Sequence, residues 1–151
     1  MKRNLLLVFS LFVVVTAMST AASAQTARPY HNGSVWSIGF IQIKPGMDTA
    51  YLNYIATDWK KEQEALKKDG QIISYMVIST EGHSGTDWNM MLMTEYKDLA
   101  TMEANEAKAD VLLQKIFGND EKQMQGYRDR LQIREVLGSR LGRQIVLEPK
   151  R

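Results

Sequence analysis

Val35-Trp36-Ser37-Ile38-Gly39-Phe40-Ile41-Gln42-Ile43, followed by Lys44-Pro45-Gly46, is the stretch on which the fold turns. It is rich in β-branched and aromatic residues and stops at a turn signal, so it reads as a strand. Alternation sets Trp36, Ile38 and Phe40 on one face and Val35, Gly39, Ile41 and Ile43 on the other. Both faces are apolar, and a strand of that kind is covered on both sides.

Downstream, Asp48 is expected to cap a helix running to about Lys68, with Asp69-Gly70 as its stop. Leu52, Ile55, Trp59 and Leu66 recur at helical spacing and predict its buried stripe. Gln71 to Ser79 reads as a second strand, with Ile72, Met76 and Ile78 opposed to Ile73, Tyr75 and Val77. Trp88 to Tyr96 reads as a third, with Trp88, Met90, Leu92 and Tyr96 opposed to Asn89, Met91, Met93 and Glu95. The Gly/Ser-rich segment from Thr80 to Asp87 makes these two a hairpin. Asp98 then caps a helix over Leu99–Phe117, and Gly118-Asn119-Asp120 breaks it. A less regular helix follows from Glu121 to about Leu137, and Gly142 to Glu148 is the last strand, closed by Pro149.

The order is βαβ followed by βααβ, the split βαβ arrangement of a ferredoxin-like α+β domain with an extra helix before the last strand. Its four-stranded antiparallel sheet carries helices on one face. The other face is also apolar, and a second copy of the sheet covers it most simply, through an isologous two-fold contact.

Upstream, Met1-Lys2-Arg3-Asn4 is a short positive segment, and Leu5 to Val15 is apolar apart from Ser10. Ala22-Ser23-Ala24 then matches a signal-peptidase site, which predicts a signal peptide over residues 1–24, bacterial in type, and export to the periplasm or beyond. The apolar run is shorter than the roughly 20 residues needed to span a bilayer, so no stable membrane anchor is expected after cleavage. Residues 25–34 read as a flexible arm, 35–148 as the domain and 149–151 as a tail.

The chain of 151 residues has no cysteine, which removes disulfides, thiol chemistry and cysteine-ligated metals. Residues 25–121 carry 9 Lys/Arg against 14 Asp/Glu, whereas residues 122–151 carry 8 against 3. Acidic residues interrupt the basic segment and no aromatic stacking platform accompanies it, so nucleic acid is not an expected partner. The segment is expected to pack against the acidic part of the chain.

Three joints, Ile43-Lys44-Pro45-Gly46-Met47, Asp87-Trp88-Asn89 and Glu95-Tyr96-Lys97-Asp98, resemble those of the dimeric α+β-barrel superfamily, which includes antibiotic-biosynthesis-type monooxygenases. The resemblance covers residues 35–148 and implies a homodimer. It also implies a range of chemistry, from cofactor-independent oxygenation of aromatic substrates to haem conversion. The haem branches use a helix-borne histidine, whereas His31 and His83 fall in the arm and a loop. No cofactor is therefore expected. No metal site is expected either, since His83 has only His31 and loop acids as potential partners.

Asn89 is a candidate ligand contact because an amide on a strand with two apolar faces is costly to bury unpaired. Tyr75 and Tyr51 offer hydroxyl groups, and Trp36 and Trp88 offer aromatic walls. Met76, Met90, Met91 and Met93 form a methionine-rich patch, expected to be core. No acid–base cluster stands out. The reading that follows is an exported dimer binding a small apolar or aromatic molecule. The alternatives are a cofactor-independent oxygenase using Tyr75, Asn89 and Trp88, and a structural dimer without ligand.

Overall fold

The computed structural model describes residues 28–81 and 87–148. The expected signal peptide, the loop bearing His83 and the tail at 149–151 lie outside the described residues. Strand β1 (Tyr30–Ile43) leads through Lys44–Gly46 into helix α1 (Asp48–Tyr54), which runs through a π-helical turn (Ile55–Trp59) into α2 (Lys60–Lys68). Strands β2 (Ser74–Ser79) and β3 (Met90–Tyr96) form the hairpin. Helices α3 (Leu99–Ala104), α4 (Glu106–Phe117) and α5 (Asp120–Arg130) follow, and β4 (Arg134–Leu147) ends the domain. The sheet is antiparallel throughout, in the order β2-β3-β1-β4. That order, with both helical crossovers on one side, is the ferredoxin-like α+β fold.

Register separates the two sheet faces as the alternation requires. Ile41 pairs with Met90, Gly39 with Leu92 and Ser37 with Thr94, all on the helix side. Ile38 pairs with Met93 and Phe40 with Met91 on the open side, where β2 adds Met76 and Ile78. The core lies beneath α1 and the π-turn: Ile41, Ile43, Tyr51, Ile55, Trp59 and Met90 are all buried. Tyr51, Ile55 and Trp59 sit four residues apart, and Gln63 and Leu66 continue the buried line along α2. The Gln63 side chain accepts a bond from Thr94 Oγ1 at 2.9 Å, which satisfies both buried polar groups.

Several boundaries differ from the sequence expectation. Leu52 is 48% exposed and Tyr51 takes its place in the stripe, because the π-turn rotates the helix by an extra residue. Asp48 is the first helical residue and not the cap, although its charge still complements the helix N-terminus. Asp98 does cap α3, accepting from Thr101 N–H at 2.6 Å. The helix expected over Leu99–Phe117 breaks at Asn105 into α3 and α4. Strand β2 starts at Ser74, because Gln71 N–H still bonds Leu66 C=O across the Gly70 turn. Ile72 is thus buried, while Met76, expected on the same face, is 46% exposed.

The larger corrections fall at both ends of the domain. Strand β1 begins at Tyr30, so residues 30–34 belong to the sheet and not to an arm. Helix α5 stops at Arg130, and β4 begins at Arg134, eight positions before the expected Gly142. These two long strands pair over their whole lengths, with bulges between Asn32 and Val35 and between Phe40 and Ile41. On the N-terminal side of Val35, β1 pairs with β4 alone among the described residues, so the two continue past the sheet as a ribbon with Ile145 and Leu147 exposed.

Candidate functional site

None of the residues in α3 or α4 is fully buried. Packing under this half of the helix layer is thin, and a cleft of about 270 Å³ opens between the sheet, α2 and α4. Its floor is Ser37 of β1 and Tyr96 of β3; Leu66, Ile72, Met102 and Ala109 wall it with apolar surface. Glu103, Glu106 and Asp110 stand along its α3–α4 side. Burial, with a further contribution from the Glu62 charge, raises the Tyr96 phenol above its ordinary pKa. At neutral pH it therefore stays a neutral hydroxyl that can donate a hydrogen bond.

The end of α2 is fixed beside this cleft by a polar chain. Gln71, which also lines it, donates to Asp69 Oδ2 at 2.8 Å, and Lys108 of α4 lies 2.7 Å from the same oxygen. The bonds from Lys108 and Gln71 hold the Asp69 carboxyl below its usual range. One carboxylate thus ties α2 to α4 at the rim.

The five candidates from the sequence do not surround one cavity. Trp36 lies on the open sheet face, opposite Glu95 in the register. Trp88 precedes β3 and leaves its alternation: its ring meets Phe40 of the open face edge-on at 5.3 Å, not the Met90 side. Asn89 is committed to the backbone, its Oδ1 accepting from Ile43 N–H at 2.8 Å while its main chain bonds Ile41 and Thr80. Tyr75 packs edge-on against Trp59 at 5.4 Å and donates its hydroxyl to Glu64 at 2.5 Å. Tyr51 is fully buried and stacks on Tyr54 at 5.7 Å. His31 lies in β1 and contacts Glu148 at 3.1 Å.

Sequence reasoning passed over Tyr96, Met102 and Ala109 as site residues. In the sequence, Leu99, Met102, Ala109, Leu113 and Ile116 read as the inward stripe of the helix expected over Leu99–Phe117, and Met102 and Ala109 of that stripe face the cleft. The signal was present, but it specifies an inward side chain and not an unfilled space beside it.

Fold and cleft together define a ferredoxin-like α+β domain with helices over one sheet face and a cleft beneath the second helical crossover. No family model matches the chain, and no curated protein matches it. Among solved structures it is similar to the crystal structure of a dimeric ferredoxin-like protein from an uncultured marine organism. The two share 16% identity over 80% of this chain and 100% of that one, with a TM-score of 0.45.

Proposed function

We propose that the mature protein is an exported homodimer of the dimeric α+β-barrel type that binds a small, largely apolar or aromatic molecule. The ligand lies in the cleft between Tyr96 and Ala109, against Leu66, Ile72 and Met102, with the Tyr96 hydroxyl as its polar contact. The observation that carries the binding reading is this apolar-walled space under helices α3 and α4, which bury none of their own residues. Clefts of this character, with apolar walls and few polar groups, are the usual form of small-molecule sites.

The dimer supplies the missing cover. Trp36, Ile38, Phe40, Met76, Ile78, Met91 and Met93 form a continuous apolar face across β1, β2 and β3, and none is buried within the chain. Glu95, the acidic residue on that face, has both oxygens hydrogen-bonded locally, accepting from Ser34 Oγ at 2.6 Å and from Ser74 Oγ at 2.5 Å. A half-covered apolar face on an exported protein calls for a partner, and a two-fold copy of the same face meets the need.

Native mass spectrometry of the exported protein tests both parts. The expected result is a dimer carrying a discrete ligand mass, with the mass lost in Ala109→Trp, which fills the cleft, and the dimer retained. A monomer would sink the assembly. A dimer that binds no ligand, natively or from a panel of small aromatic compounds, would leave only a structural role.

A further inference from the structure

A second cleft, of about 240 Å³, lies elsewhere in the helix layer, between the segment around the π-turn and helices α4 and α5. Tyr54, Asp58 and Glu62, one helical turn apart, line one side; Phe117 and Arg130 contribute to the other. A π-turn of this kind is rare and recurs at functional sites. Here it carries Asp58 and separates the two helical segments that hold Tyr54 and Glu62.

Arg130 and Tyr54 of this wall belong to a larger cluster behind it, in which two guanidinium groups and three phenol rings interleave. The Arg130 guanidinium lies 4.6 Å from the Tyr54 ring centre and 6.0 Å from that of Tyr127. The Arg134 guanidinium lies 5.6 Å from the same Tyr127 ring and 5.7 Å from that of Tyr51, which stacks on Tyr54. Ring faces attract the cations but leave their N–H groups without acceptors. Arg130 Nε, Arg134 Nε and Nη1, and the Tyr51 hydroxyl are all buried without a hydrogen-bond partner among the described residues. Arg134 is only 7% exposed.

Folded proteins leave few such groups unsatisfied, and a buried charge without a counter-charge is among the costliest. Glu62 does not fill the role, although it shares the cleft. Arg130 Nε has no partner among the described residues, and burial, partly offset by the Arg130 charge, raises the Glu62 pKa. The unmet need is for an acceptor bearing negative charge. Guanidinium groups meet it best with the paired oxygens of a carboxylate or phosphate.

We propose that this cleft is an oxyanion site, taking the carboxylate or phosphate group of a small organic acid onto Arg130. Arg134 and Tyr51 stand behind that contact and supply charge and donors from the core. Tyr54 and Phe117 give the organic part of the ligand a wall. The proposal concerns a different cavity from the apolar cleft and does not depend on it.

The test follows the arginine Nε–H resonances of the mature protein by ¹H–¹⁵N NMR. Sodium benzoate and inorganic phosphate are titrated separately at an ionic strength held constant with chloride, and neutral benzamide serves as control. The resonances of Arg130 and Arg134, assigned by their loss in Arg130→Lys and Arg134→Lys, are expected to shift saturably with at least one anion and not with benzamide. The apparent Kd is expected to rise at least tenfold in Arg130→Lys. If Arg134→Lys does not fold, Arg130→Lys alone carries the comparison, because Arg130 stands at the cleft wall and is only half-buried. No shift beyond that of chloride, or an equal response to benzamide, overturns the proposal. A response abolished by Ala109→Trp assigns the anion to the apolar cleft, overturning this site while leaving the other intact.

Discussion

The side chain of Asn89 stands in for a strand. Its Oδ1 accepts the N–H of Ile43 at 2.8 Å, two residues beyond the last β1–β3 pair, Ile41 with Met90. Asn89 N–H bonds Ile41 C=O, and Asn89 C=O accepts from Thr80 N–H, so one residue closes the ends of three strands. Truncating it leaves a strand N–H beside the core without an acceptor.

Asn89→Ala is therefore expected to cost about 1–3 kcal/mol of stability, measured by urea unfolding, while ligand affinity at the apolar cleft stays unchanged. A variant as stable as the parent but unable to bind ligand would return Asn89 to the site.

Met93 sits centrally on the open sheet face, paired with Ile38 on one side and Met76 on the other. Met93→Glu places a charge where the second sheet is expected to pack, and desolvating an unpaired carboxylate there is strongly unfavourable. The expected outcome is a folded monomer, with unchanged far-ultraviolet circular dichroism and half the mass by light scattering. A dimer that tolerates the charge would move the interface elsewhere, with the ribbon carrying Ile145 and Leu147 as the next surface to mutate.

The Tyr51 hydroxyl is buried without a partner among the described residues, and desolvation is the main cause that pushes its pKa up to about 12. Tyr51→Phe keeps the ring stacked on Tyr54 and removes the unsatisfied group. The ligand-free protein is expected to gain about 1 kcal/mol, read from the urea midpoint at an unchanged slope, and anion binding at the Arg130 cleft to weaken. Destabilisation by the same amount would mean that a bound water already satisfies the hydroxyl.

Glu62 links acidity to stability. Burial is the largest cause of its raised pKa; Arg130 of α5 opposes it, and Asp58 and Lys122 of the same cleft, with Tyr54 and Tyr96, are further titratable groups around it. A carboxyl whose pKa is higher folded than unfolded favours the fold when protonated. That advantage is full below the unfolded value and is lost as pH rises through the folded one. Glu62→Gln is expected to melt at a higher temperature than the parent at pH 7, the gap closing as pH falls below about 4, near the ordinary glutamate value. A gap that widens on acidification would mean that the ionised carboxylate is stabilised in the fold, through Arg130.

Element order and strand faces were legible because each is local. Trp36, Ile38 and Phe40 alternate with Val35, Gly39 and Ile41 whatever the rest of the chain does, and the structure keeps both sets apart as read. Expected boundaries departed from the structure where a local signal met a longer-range one. Arg134 to Leu137 reads as a continuing helix, yet it is strand because β1 is long enough to pair with it. Trp88 reads as part of β3, yet its ring turns to Phe40 on the other face.

By itself, the sequence determined the class of fold and the two-sided apolar sheet, since patterning and turn chemistry act over a few residues. Only the tertiary structure decided where the clefts lie. The pairing of Ile43 with Arg134 across 91 positions sets that arginine in the core, where its guanidinium lies over the Tyr51 ring. The loose seating of α4 over Ser37 and Tyr96 leaves the apolar cleft open. Register between distant strands and the fit of a helix on a sheet arise from packing of the whole chain, and no short stretch of residues encodes them.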